Sequence, residues 1–388
     1  MSGVACTSID MLRRLVGFDT TSRESNLALI DFVRDWLEDH GVESQLVFDE
    51  TGRKANLYAT IGPLGVGGIM LSGHTDVVPV DGQDWHSDPF ALLAADDKSF
   101  GRGTADMKSF IAVILARLPE LAARRLRTPI HLALSYDEEV GCRGVRRLIA
   151  ALKERPVRPR LCIVGEPTSM QPVIGHKGKR SFHCRVHGFE CHSALTHQGV
   201  NAVEAAAELV AHLKAMARRK RGQGPFDADY LPPYTTVHTG TISGGTALNI
   251  VPKECSFDFE YRLLPGDDPD GPIEELRAFA ENRLLPEMRA VRPEASIEFA
   301  ELSGYPGLAT EPDAEVTRLA LALTGANRAG KVAFGSEAGL FQEAGIPTVV
   351  CGPGSIEQAH KPDEFIALDQ ILACEAFIGR LFDRAAAA

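Results

Sequence analysis

Two periodicities alternate along the chain. Apolar residues recur at helical spacing in SIDMLRRLVGF (8–18) and in NLALIDFVRDWLEDHG (26–41), where Leu29, Phe32, Val33, Trp36 and Leu37 form one face and Gly41 is a stop. Near-continuous apolar runs follow: GGIMLSGHTDVVP, PIHLALSYDEE and RLCIVGEP read as buried strands, with MKSFIAVILARLPEL and GVRRLIAALKE as the helices between them. Strand–helix alternation with unbroken apolar strands predicts an α/β fold, a mostly parallel sheet with helices on both faces.

The middle of the chain has a different rhythm. SFHCRVHGF alternates as a half-exposed strand should, and NAVEAAAELVAHLKAMA is an amphipathic helix. TTVHTGTISGG and ECSFDFEYRLLP are strands, PIEELRAFAENRLL a helix, and ASIEFAEL a strand. This β-α-β-β-α-β order is that of an α+β ferredoxin-like unit. The α/β pattern returns with EVTRLALALTG, KVAFGSEAGLFQEAG and IPTVVCGPG and closes with a helix from about Leu368. The expected organisation is one domain over 1–178 plus 304–388, interrupted by a smaller one over 179–303. The basic, then Gly/Pro-rich stretch 216–233 (MARRKRGQGPFDADYLPP) reads as a mobile surface loop.

Composition narrows the function. A net charge of −11 over 388 residues disfavours a nucleic-acid binder. No apolar run approaches the roughly 18 residues of a membrane span, and the start MSGVACTSIDMLRR lacks the apolar core of a secretion signal. Eight scattered cysteines without a C-x-x-C pair suit free thiols in the cytoplasm. The Gly-rich GPLGVGG (62–68) and CGPGS (351–355) carry neither a Walker lysine nor a G-x-G-x-x-G opening a helix, so they read as turns, and a dinucleotide enzyme is excluded.

The candidate chemistry lies where strands stop, the edge at which open α/β sheets bind ligands. His74 and Asp76 follow GIMLSG, Asp106 follows GRGTA, Glu138 and Glu139 follow HLALSYD, Glu166 follows LCIVG, and His360 lies beyond IPTVVCGPG. Seven acidic or imidazole groups at one edge, with no basic residue among them, call for bound cations. The count fits two divalent ions: Asp106 bridges them, His74 and Glu166 complete one, and Glu139 and His360 the other, with a water shared between. Two imidazoles and three carboxylates favour zinc, with cobalt or manganese as substitutes. Asp76, two positions beyond His74, is suited to accept that imidazole's other N–H. Glu138, beside a ligand but pointing away from it, is suited to take a proton from water, so the expected reaction is hydrolysis.

SGHTDVVPVDGQDWHSDPF, GRGTADMKSFIA, DEEVGCRGVRRL, GEPTS and GPGSIEQAHKPDEF occur in an order that resembles the M20 metallopeptidase family over nearly the whole chain. The resemblance implies a zinc-exopeptidase-like catalytic domain with an inserted lid that usually makes a homodimer. It implies a di-zinc amidohydrolase that removes the acyl group from an N-acyl-L-amino acid, N2-acetyl-L-ornithine above all. Succinyl-diaminopimelate, a broader acyl-amino-acid range or a peptide are the alternatives. By the same resemblance the ligands are His74, Asp106, Glu139, Glu166 and His360, the catalytic carboxylate is Glu138, the histidine-orienting acid is Asp76, and the Asp106–Met107 peptide is cis. His192, in GFECHSALTHQGVNA, would reach the partner subunit's site and steady an oxyanion, or else cap a helix. Asn249 and Arg262 resemble lid residues that bind a substrate carboxylate, Arg262 being equally able to pair with Glu260. Glu337, in AFGSEAGLF, would attract a cationic substrate side chain or cap the following helix.

Overall fold

The computed structural model describes residues 6–387. The N-terminal reading of the sequence falls partly on residues outside that range. The chain separates into two compact units, one of them His176–Gly307 with Val332–Gly335 and the other the remaining described residues.

The larger unit is built on a nine-stranded sheet. Its main path is Ser44–Phe48, Ala55–Ile61, Ile130–Ser135, Ile69–His74, Leu161–Pro167, Thr348–Gly352, Val173–His176 and Leu308–Ala309. The four strands from Ile130–Ser135 to Thr348–Gly352 are mutually parallel, buried along their whole length and rich in Leu, Ile and Val. Strands covered on both faces need no polar alternation, so the sequence shows none. The helix Lys108–Ala122 is apolar nearly all round and buries Phe110, Ile111, Val113, Ile114, Leu115 and Leu118 in the main core. Ser8–Val16, Leu27–Glu38, Glu315–Thr324 and Leu368–Ala387 add to the same core.

The first two strands of the path lie antiparallel to their neighbours, which makes the sheet mixed. Sequence reading passed over both, because the segment around them is polar and turn-rich and neither alternates cleanly.

The smaller unit has the strands Gly178–His187, Thr236–Gly244, Glu254–Leu263 and Ser296–Tyr305, all antiparallel. In space the first of them lies between the third and fourth, and the second forms an edge. Its core packs Phe182, Phe257, Phe259 and Tyr261 under the helices Ala202–Gln223 and Gly271–Phe279. The first helix is a correction to the sequence reading. It runs on through Gln223, so half of the expected mobile loop is helical. Lysine and arginine are good helix formers, and the run stops only at Gly224, which has a φ of 74°.

One buried imidazole on the strand Ile130–Ser135 should make folding pH-dependent. His131 Nε2 accepts the Gly68 amide at 3.2 Å, which puts its proton on Nδ1, facing the Tyr58 hydroxyl at 2.8 Å and that of Thr60 at 3.0 Å. Burial, with Arg155 nearby, lowers its pKa from 6.5 to about 4. The unfolded chain therefore takes up a proton that the folded chain refuses. The associated stability is complete above about pH 6.5 and is lost as pH falls toward 4. Over that window the parent chain should lose on the order of 3 kcal/mol more than His131→Gln does, read from denaturant unfolding at stepped pH. Parallel curves would remove His131 as the cause.

Candidate metal centre

Because the four central strands are parallel, their carboxyl ends share one edge, and the seven residues singled out at strand ends belong to that edge. His74 ends its strand, Glu166 lies within Leu161–Pro167, and Glu138 and Glu139 follow Ile130–Ser135. Asp106 departs from its sequence reading: it ends no strand of this sheet but lies in the turn after Lys98–Phe100, a strand of a separate three-stranded sheet, just before the helix Lys108–Ala122, and the Asp106–Met107 peptide is cis. Helix and strand meet closely because of Gly165: a Cβ there would stand 2.1 Å from the Phe110 ring.

The side chains converge. Asp106 faces two histidines, with Oδ1 3.0 Å from His74 Nε2 and Oδ2 3.4 Å from His360 Nε2. Glu139 Oε2 is 3.1 Å from the same His360 nitrogen. Glu166 Oε1 lies 3.8 Å from His74 Nε2 and is buried without a hydrogen-bond partner. The ligand-type atoms of His74, Asp106 and Glu139 lie within 4.8 Å of one another, as do those of His74, Glu138 and Glu166.

These groups suit divalent ions. His74 Nδ1 donates to the Asp76 carbonyl at 2.8 Å, so its lone pair is on Nε2, pointed at carboxylate oxygens. Imidazole nitrogens facing carboxylate oxygens call for a cation between them, a proton in the metal-free chain or a metal ion in its place, and the orphaned Glu166 oxygen asks for the same. Two imidazole nitrogens with several carboxylates are a donor set for zinc, cobalt or manganese. Acidities tell the same story. Burial, with Glu139 close by, pushes Glu138 up to about 8, and burial with Asp106 close by pushes Glu139 to about 7. Glu166 is raised well above the carboxylate range, chiefly by burial. His360 rises to about 10 through its hydrogen bonds with Asp106 and Glu139. The hydrogen bonds from the two histidines outweigh burial and hold Asp106 below its usual range. His360 is the open side of the cluster, its side chain 53% exposed against 1% for His74.

Asp76 works differently from its sequence reading. Its carbonyl, not its carboxylate, orients His74; the carboxylate is 3.6 Å from that ring. It accepts instead from the amides of Glu138 at 3.1 Å and Glu139 at 3.3 Å and from the Ser22 hydroxyl at 2.7 Å. Asp76 thus ties the His74 turn to the Glu138–Glu139 turn. Cys142 adds a thiol contact to Glu138 Oε1 at 3.2 Å. Lys54 pairs with Asp137 and donates to the Ser22 carbonyl.

Glu337 corrects one of its two sequence readings, that of a helix cap. It is 1% exposed, its carboxyl bonded by Ser135 and, at 3.4 Å, Ser72, and burial raises it to about 7. The side chain makes no capping hydrogen bond to the helix Ala338–Glu343. The polar Ser72 and Ser135 inside apolar strands were the available signal, since buried hydroxyls need a partner.

The remaining three residues belong to the smaller unit. His192 is exposed and accepts the Ala194 amide at 3.1 Å, capping the short helix Ser193–Gln198. Asn249 is exposed beside it, its carbonyl accepting from the Ser193 amide at 3.0 Å. Arg262 is at the far end of the strand Glu254–Leu263, donating to Glu260 at 3.1 Å. This unit brings His192 and Asn249 together but not Arg262, which lies near the other end of the strand Glu254–Leu263.

A family model described as peptidase family M20/M25/M40 matches residues 70–384. The acetylornithine deacetylase of Proteus mirabilis (strain HI4320) is 36% identical over 385 residues, covering 97% of this chain and 96% of that protein. That of Myxococcus xanthus is 36% identical over 374 residues, covering 95% of each. Among solved structures, an M20 family metallo-carboxypeptidase from Sulfolobus solfataricus superposes with a TM-score of 0.79 at 18% identity, covering 98% of this chain and 99% of its own. A dinuclear metal-binding M20 peptidase from Bacillus subtilis gives 0.67 at 18%, covering 97% and 96%.

Proposed function

Because the chain belongs to peptidase family M20/M25/M40 and is a metal-dependent hydrolase, we propose that it removes the acyl group from an N-acyl-L-amino acid, taking N2-acetyl-L-ornithine and water to acetate and L-ornithine in arginine synthesis. The observation that carries the reading is the Asp106 carboxylate, which turns one oxygen to each of two histidines. Asp106 would be shared between two zinc ions, with His74 and Glu166 holding one and Glu139 and His360 the other. Two such ions would polarise the scissile carbonyl and acidify a water.

The chain's own groups do the rest. Glu138, buried against the cluster, takes a proton from the attacking water and returns it to the departing amine as the C–N bond breaks. Asp76 fixes both the His74 ring, through its carbonyl, and the Glu138–Glu139 backbone, through its carboxylate. Arg262, with its planar fork, and Asn249 are proposed to receive the substrate carboxylate, and His192 to steady the developing oxyanion. The chain is proposed to act as a homodimer in which His192 serves the active site of the partner subunit. Eight free cysteines suit a reducing, cytoplasmic place.

Initial rates on acetylornithine, succinyl-diaminopimelate, acetylmethionine and a dipeptide test the substrate. Acetylornithine should lead in kcat/KM by 10-fold or more, about 1.4 kcal/mol of discrimination. A ranking that places it last would overturn the name of the substrate while leaving hydrolysis intact.

A further inference from the structure

Glu364 is a carboxylate with 1% of its surface exposed and no place in the ligand set. Its Oε1 accepts the backbone amides of Ala105 at 2.8 Å and Asp106 at 3.0 Å, and its Oε2 accepts that of Gly103 at 3.0 Å. Oε2 also takes Nη1 of Arg102 at 2.7 Å, itself 1% exposed. Three backbone donors and a guanidinium on one enclosed carboxylate make a rigid anchor, and what they anchor is the turn that presents Asp106.

The guanidinium continues the connection. Its other amino group donates to Gln83 Oε1 at 2.6 Å, and its plane lies over the Trp85 ring, 5.0 Å from the centroid. The Trp85 indole donates to the same Gln83 oxygen at 3.0 Å. With that oxygen doubly held, Gln83 Nε2 is aimed at the His360 carbonyl, to which it donates at 3.0 Å. His360 has a φ of 63°, a left-handed conformation that a non-glycine residue keeps only when its surroundings impose it. Asp363 is pinned nearby by the His86 amide at 2.9 Å and the His86 ring at 2.6 Å.

We propose that Glu364, Arg102 and Gln83 are positioning residues that lock Asp106 and His360 into one geometry, so that the exposed histidine meets the buried aspartate at the spacing two metal ions need. The inference rests on the reading of Asp106 and His360 as ligands. It explains why GQDW, GRG and DEF accompany the ligand-bearing segments although they hold no ligand themselves.

Cobalt(II) chloride titrated into the chelator-stripped full chain, followed by visible absorption and equilibrium dialysis, separates the parts. Gln83→Glu keeps an acceptor for Arg102 and Trp85 but loses the N–H toward His360. It should weaken one of the two cobalt equivalents by about 10–100-fold, the usual cost of losing an outer partner of a ligand, and leave the other within 2-fold of the parent. The melting temperature of the stripped chain should stay that of the parent, which a merely structural role would not predict. Arg102→Lys keeps the charge beside Glu364 but cannot bridge to Gln83, and should weaken both equivalents, because Asp106 serves both. Gln83→Glu and Gln83→Ala binding both equivalents as the parent does would overturn the proposal. A parent chain that binds no cobalt would overturn the metal reading itself, and the positioning role with it.

Discussion

Glu138→Gln should fold, bind two metal ions and bind substrate as the parent chain does, while kcat falls by about 10²–10⁴-fold, the range that positioned proton transfer supplies. Glutamine has the shape of glutamate, so the Asp76 hold on the 138 amide, at 3.1 Å, survives the change, and so does the acceptor facing the Cys142 thiol. What is lost is the ability to carry a proton between water and amine. Binding groups are untouched, so the effect belongs in kcat with KM little changed. Steady-state kinetics beside elemental analysis of the same preparation would check it. A variant within 3-fold of the parent in kcat would remove Glu138 as the base, and one that has lost metal would make Glu138 a ligand.

Strand ends were legible because parallel strands buried on both faces leave a plain mark, an unbroken apolar run such as IMLSG or IHLALS stopped by polar residues. From there the convergence of His74, Glu138, Glu139, Glu166 and His360 follows from the topological rule that ligands gather at carboxyl ends, whereas Asp106 reaches the cluster from a turn before a helix. Roles within the cluster were less legible. The i, i+2 argument for Asp76 assumes extended chain. In the structure the Asp76 carbonyl reaches the ring and the carboxylate reaches the neighbouring turn. The partners of Glu337 were not legible because Ser72 and Ser135 are 265 and 202 residues away in sequence. The anchor on Glu364 was hidden for the same reason, since Arg102 and Glu364 meet across 262 positions. Nothing in a local window distinguishes a carboxylate that caps four donors from one that faces solvent.

Asp106→Asn should reduce the metal bound after purification without chelator from two ions per chain to one or fewer. It should also lower kcat by about 10³-fold, the equivalent of roughly 4 kcal/mol of transition-state stabilisation. Asparagine has the same volume, and its amide stays on Glu364, so the turn is kept. The difference is electronic. The carboxylate presents an acceptor to each histidine, at 3.0 and 3.4 Å, and the carboxamide can do so to only one. Its amino group would meet the lone pair of the other imidazole and donate to it, occupying the nitrogen that a metal needs. Loss of one negative charge from the cluster further weakens its hold on two dications. Because the surrounding core is unchanged, the metal-free variant should melt within a few degrees of the metal-free parent, a shift of about 1 kcal/mol or less. Mass spectrometry under native conditions, together with elemental analysis, reads the stoichiometry directly. Two ions retained in the variant at parental affinity would mean that Asp106 does not bridge them, and the assignment of ligands to the two ions would have to be redrawn around Glu138 and Glu166.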